Sequence, residues 1–188
     1  MRLDCCCIDC NDAFRWAETQ GGPPKLKPNS DSWYFENDLQ FIKGYDKIGF
    51  YRLNEGYPSV RMVTSCCHSN LSCDHPAYKQ KFCLTFVDTL VSCQFMHQKI
   101  RLCTDDLTEE QKKYLEPKEF ELGVNKNFTT CETLPALFDP AGPFMQQFAE
   151  GPPPSTTAGR TMQSMYEEKG VTTLNWTPTN GVITPLRA

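Results

Sequence analysis

Four cysteines stand within six residues near the start of the chain, in the run Cys5-Cys6-Cys7-Ile8-Asp9-Cys10. Spacing this tight works against disulfides among them, because bridged Cα atoms need about 4.4–6.8 Å and suitable Cβ directions. It suits a metal ion instead. Cys-x-Cys-x-x-Cys can bring three sulfurs onto one tight loop, each about 2.3 Å from a tetrahedral zinc. Alternate residues of an extended loop face opposite sides, so Cys5 and Cys7 share a face and Cys6 points away. Cys5, Cys7 and Cys10 are therefore the candidate ligands, for one zinc per chain. Three thiolates leave a fourth position for water, a substrate thiol or a distant side chain. The alternatives are a closed structural site completed by a distant Cys or His, and a local cluster without metal.

The chain holds 11 cysteines in 188 residues, an odd number that leaves at least one thiol unpaired in a monomer. The start, Met1-Arg2-Leu3-Asp4-Cys5, lacks an apolar h-region. Both features argue against a secreted disulfide scaffold and for an intracellular protein, cytoplasmic or organellar. On that reading the three sequons at Asn70, Asn127 and Asn175 are chance matches. A net charge of -4 argues against sequence-independent binding to nucleic acid or anionic lipid. The longest apolar stretch, Phe82 to Met96, is broken by Asp88 and Gln94, too short and polar for a transmembrane segment.

A composition of 39% hydrophobic and 12% aromatic residues is enough for a core, and the length suits one domain with a tail. Aromatic and β-branched residues recur at near-period-2 spacing in Ser32–Phe35, Leu39–Tyr45, Ile48–Leu53, Ser59–Thr64 and Lys81–Val91. Cut by Asn, Asp and Gly, these runs predict a mainly β fold of antiparallel strands. Asp12–Ala17 reads as a helical turn or a strand, and Ser65–Tyr78 as a turn-rich segment. Thr108-Glu109-Glu110-Gln111 fits a capping box, predicting a short helix over Glu109–Leu115 that Pro117 ends. From Thr133 onward prolines break every candidate element. The division is thus a zinc-binding domain over 1–132 and an extended Pro-rich tail over 133–188. That tail is expected to dock on the domain or on a protein partner, and Val171–Trp176 has the β-propensity to cover a sheet edge.

Cys5-x-Cys7-x-x-Cys10-x-x-x-Phe14, then Leu39-Gln40-Phe41-Ile42-Lys43-Gly44, Tyr51 and Thr64-Ser65-Cys66-Cys67-His68-Ser69-Asn70-Leu71 follow one another in the chain. In this order the chain resembles the glutathione-dependent formaldehyde-activating enzyme family, which includes centromere protein V, over residues 5–105. The resemblance implies a β-tent type fold, a zinc on Cys5, Cys7 and Cys10, and carbon–sulfur lyase chemistry on a glutathione–formaldehyde type adduct. The family's second, structural zinc uses an earlier Cys-x-Cys and a later Cys-x-x-Cys. Here only four residues precede Cys5, and Thr64 stands at the first position of the later pair. The second zinc is expected to be missing, and the chain to be a divergent member serving as a non-catalytic interaction or structural subunit. The alternative is a zinc-dependent lyase that binds a glutathione-like thiol.

Other residues carry weaker signals. Cys66, Cys67, His68, Cys73 and His75 have ligand chemistry enough to rebuild a metal site, but the preferred reading makes Cys66 and Cys73 buried small hydrophobes. Cys83, Cys93, Cys103 and Cys131 are spread singly, as core residues are. Asp9 is assigned to turn support and His97 to a surface or satisfied core position. Lys43, Arg52 and Arg61 are assigned to strand-surface charge.

Overall fold

A computed structural model describes residues 2–87, 100–115, 127–128, 141 and 159–177. Among them the fold is mainly β. The strands are β1 (Arg2–Cys5), β2 (Ser30–Glu36), β3 (Ile48–Arg52), β4 (Val60–Thr64) and β5 (Asn70–Asp74), followed by β6 (Phe82–Phe86), β7 (Ile100–Leu102), β8 (Asn127–Phe128) and β9 (Thr172–Thr173). They form one sheet in the order β8-β7-β1-β2-β6-β5-β4-β3-β9. It is mixed, not wholly antiparallel as expected: β1 runs parallel to β7, β7 to β8 and β3 to β9. Among the described residues three α-helices accompany it, α1 (Ile8–Thr19), α2 (Glu109–Lys112) and α3 (Met162–Lys169). No described helix is long and apolar enough to cross a membrane.

Period-2 alternation gives the sheet two buried faces. In β6, Phe82, Leu84 and Phe86 join one cluster with Leu3, Tyr34 and Leu102, while Cys83 joins Ile48, Phe50 and Met62 on the other face. The first face lies under α1, whose Phe14 meets Phe86 edge-on at 4.8 Å. The second is covered by α3 through Met162 and Met165. Lining up β4 in this way sends Val60 and Met62 to the α3 side and turns Arg61 toward α1.

Most expected strands are present, with informative differences. Leu39–Tyr45 is not a strand: Leu39 makes only an isolated bridge to Arg160, and Gly44 turns into the left-handed region at φ 82°. Asp12–Ala17 belongs to the twelve-residue α1. Ser65–Tyr78 contains β5 in place of continuous turn: Ser72 and Cys73 pair with Met62 and Arg61 of β4 on one side and with Thr85 and Leu84 of β6 on the other, with a register shift at Met62/Val63. The Thr108 capping box forms as expected, with Gln111 N–H donating to Thr108 Oγ1 at 3.2 Å and Thr108 N–H to Gln111 Oε1 at 2.7 Å, but the helix it starts ends at Lys112, short of the expected Leu115. Of 133–188, residues 141 and 159–177 are described. Within these, β9 pairs Thr172 and Thr173 with Tyr51 and Arg52 and covers the outer side of β3. Cys93, His97 and Cys131 lie outside the described residues.

Candidate metal centre

The junction between β1 and α1 builds the cluster. Cys5 is the last residue of β1, paired to Ser30 of β2 and Leu102 of β7, so its backbone is fixed from both sides. Cys6 N–H donates to Leu102 O at 2.9 Å, and Cys6 O accepts Asn11 Nδ2 at 3.1 Å. Its buried thiol is absent from the cluster, and burial pushes its pKa up to about 12. Cys7 caps α1: extended backbone at φ -62° and ψ 145° lets its sulfur accept the Cys10 N–H at 3.4 Å. Helix geometry then brings Cys10, in the first turn, back beneath it. The three expected residues meet.

Cys5 Sγ lies 3.3 Å from Cys7 Sγ and 3.9 Å from Cys10 Sγ, and all three sulfurs fall within 4.8 Å of one another. Two 2.3 Å bonds across a tetrahedral ion place sulfurs about 3.8 Å apart; the Cys5–Cys10 separation matches this, while Cys5 and Cys7 would open by about half an ångström to hold an ion. Cys5 and Cys7 thiols are pushed up, chiefly by their hydrogen bonds with Cys10. Cys10 is held down, first by the bond from Cys5, then by that from Cys7, with the Arg61 cation assisting. Cys10 is the first of the three to give up its proton.

Arg61 supplies that charge from an unexpected place. It is fully buried, 0% exposed, and its Nη2 lies 2.7 Å from Asp9 Oδ2. Burial works against its charge, but Cys73, Asp9 and Cys10 around it more than offset this and keep it protonated. The same Asp9 oxygen accepts Ser59 Oγ at 2.6 Å. Asp9 therefore ties α1 to β4 and does not support a turn, and Arg61 is an interior cation and not surface charge. The cause is α1 itself, which covers the face of β4 that the alternation of Val60, Met62 and Thr64 leaves to Arg61.

The three thiols form part of the wall of a cavity of about 310 Å³. Tyr34, Tyr57, Tyr78, Leu84, Leu102 and His75 also line it. Tyr34 donates its hydroxyl to that of Tyr78 at 3.2 Å. Burial raises both phenols and lowers His75, so all three are neutral near pH 7. His75 Nδ1 accepts the Ala77 N–H at 3.0 Å, which leaves the ring proton on Nε2. Asp9 Oδ1 is buried with no hydrogen-bond partner among the described residues.

The later sulfur residues separate. Cys73 is buried in β5 and lines the cavity, as does His75 just beyond it. Cys66 and Cys67 are exposed in the turn that leads into β5. Cys66 is thus not the buried hydrophobe expected, because the turn carries it off the sheet. Cys67 Sγ lies 3.0 Å from Thr64 Oγ1 and 3.3 Å from Ser69 Oγ. Cys83 and Cys103 are buried as expected. Tyr34, Tyr78 and Ser59 were not marked by any sequence signal beyond their place in or beside strands. No family model, curated protein or solved structure matches the chain.

Proposed function

We propose that the chain is a zinc protein in which Cys5, Cys7 and Cys10 hold one ion beside a ligand cavity suited to thiol and carbonyl chemistry. The observation that carries this is the placement of all three sulfurs, within 4.8 Å of one another, in the wall of the 310 Å³ cavity. An all-thiolate set favours zinc over magnesium or calcium, which take oxygen ligands. Bound zinc supplies Lewis-acid and thiolate-binding chemistry. The chain's own residues do the rest. Arg61 offsets negative charge beside Cys10, Asp9 is oriented by Ser59 and Arg61, and tyrosine and leucine side chains give the thiols largely apolar surroundings.

Resemblance to the glutathione-dependent formaldehyde-activating enzyme family supports the same direction, with a β-tent type fold and a carbon–sulfur lyase acting on a thiol–aldehyde adduct. A second reading is a divergent, non-catalytic interaction or structural subunit whose C-terminal segment meets a protein partner. It is favoured by the later motif, where Thr64 replaces a thiol and pairs with an exposed Cys67. Elemental analysis of the full chain, followed by NMR detection of adduct formation from a thiol and formaldehyde, tests both. One zinc per chain, lost in Cys5→Ser, Cys7→Ser and Cys10→Ser, with zinc-dependent adduct formation, supports the enzyme. Zinc without turnover supports the second reading. Absence of bound metal overturns both.

A further inference from the structure

We infer that the cavity beside the thiol cluster selects a compact, uncharged, largely apolar thiol and discriminates against thiols that carry carboxylates, glutathione among them. This inference rests on the metal reading above and narrows its ligand. Size is the first argument. Small-molecule pockets run from about 300 to 1,000 Å³, and this one, at about 310 Å³, stands at the lower limit. The wall is the second. Tyr34, Tyr57, Tyr78, Leu84 and Leu102 present carbon surface to whatever sulfur approaches the cluster.

Charge is the third argument and the strongest. Among the described lining residues there is no Lys and no Arg, and the one carboxylate is Asp9. The nearby cation, Arg61, is fully buried behind the wall, with its charge already facing Asp9 Oδ2 at 2.7 Å and the cluster beyond. His75 cannot substitute, because its Nδ1 lone pair is committed to the Ala77 N–H and the ring is neutral. A carboxylate drawn into this space would lose its water, meet no Lys or Arg among the described lining residues and face Asp9. Taking an ion out of water without a partner is strongly unfavourable. A neutral aromatic or branched aliphatic body has no such penalty and gains contact with the tyrosine rings.

Cobalt(II), loaded into the full chain, reports the site directly through thiolate-to-cobalt absorption. Three thiols are then titrated: benzyl mercaptan, 4-(mercaptomethyl)benzoate, which keeps the same body and adds one carboxylate, and glutathione. Benzyl mercaptan is expected to saturate the spectral change at a concentration at least tenfold lower than either anionic thiol. Tyr57→Lys, at the half-exposed side of the wall, is expected to recover binding of the benzoate while Cys7→Ser abolishes the signal. Equal or tighter binding of the anionic thiols, or no response to any thiol, overturns the inference and leaves the metal reading standing. Cobalt that shows no thiolate bands overturns both.

Discussion

Exposed Cys67 and buried Cys73 show how far surroundings alone separate two chemically identical side chains. Cys73 sits in the core, and burial drives its thiol up. Cys67 stands on the surface, where Ser69 first and Thr64 second donate to its sulfur and bring its pKa to about 7. Among the described thiols it is expected to react first with iodoacetamide, with a rate that rises through about pH 7. Replacing both donors, Ser69→Ala with Thr64→Val, should return the thiol toward about 8.5. At neutral pH the loss of thiolate is partly compensated by greater intrinsic nucleophilicity, so the rate should fall about threefold. Peptide-resolved alkylation kinetics check this, and an unchanged profile in the double variant would falsify it. The three-sulfur cluster was legible in the sequence because Cys5, Cys7 and Cys10 are chain neighbours, and local spacing alone brings them together. Arg61 was not, since its burial depends on a helix packed across the sheet, and a charged residue in a strand looks the same whether its face is covered or open.

Helix α1 begins on a sulfur, and that gives Cys7 two separable roles. As N-cap it accepts the Cys10 N–H, and as a thiol it completes the three-sulfur cluster. Serine caps a helix well but is a poor ligand for a soft ion. Cys7→Ser should therefore leave the urea stability of the metal-free chain nearly unchanged and remove most of its bound metal. Cys7→Ala should lose the metal and also about 1 kcal/mol of stability, the usual worth of a cap. Equal urea midpoints for the two variants would show that the cap contributes nothing. The contrast with α2 explains what could be read in advance. The Thr108–Gln111 box is a complete signal within four residues, and it forms as written. Asp12–Ala17 was ambiguous because the helix start lies upstream, on a residue type that rarely caps. Leu39–Tyr45 misled for the opposite reason. Its apolar run satisfies strand periodicity, but Gly44 breaks it and the pairing available to Leu39 comes from Arg160, far along the chain.

One edge and one face of the sheet are covered by a segment far along the chain. Antiparallel hairpins account for β3 through β6 and follow from sequence order, but β3 would be an open edge without β9. Residues 160–176 close it from two directions. Leu174 N–H donates to Arg52 O at 3.0 Å and Trp176 N–H to Leu53 O at 2.9 Å, extending the β9 pairing. On the α3 face, Met162 and Met165 are wholly buried against Ile48, Phe50, Val60 and Met62, and Met162 N–H reaches Asn37 Oδ1 at 2.8 Å. The edge-covering tendency of Val171–Trp176 was visible in its composition; the paired methionines were not, since the eight-residue α3 has little apolar periodicity of its own. Burial of these two side chains is worth roughly 1.5–3 kcal/mol each, against about 5–15 kcal/mol for the net stability of a domain. A chain ending at residue 158 should therefore unfold at markedly lower urea and associate through the uncovered β3 edge, an unpaired row of backbone donors and acceptors. Met165→Ala in the full chain separates the two effects. It should cost about 2–5 kcal/mol while β9 still covers the edge, so the variant loses stability and remains monomeric in light scattering. A truncated chain as stable and as monodisperse as the full one would show that α3 and β9 merely rest on the sheet.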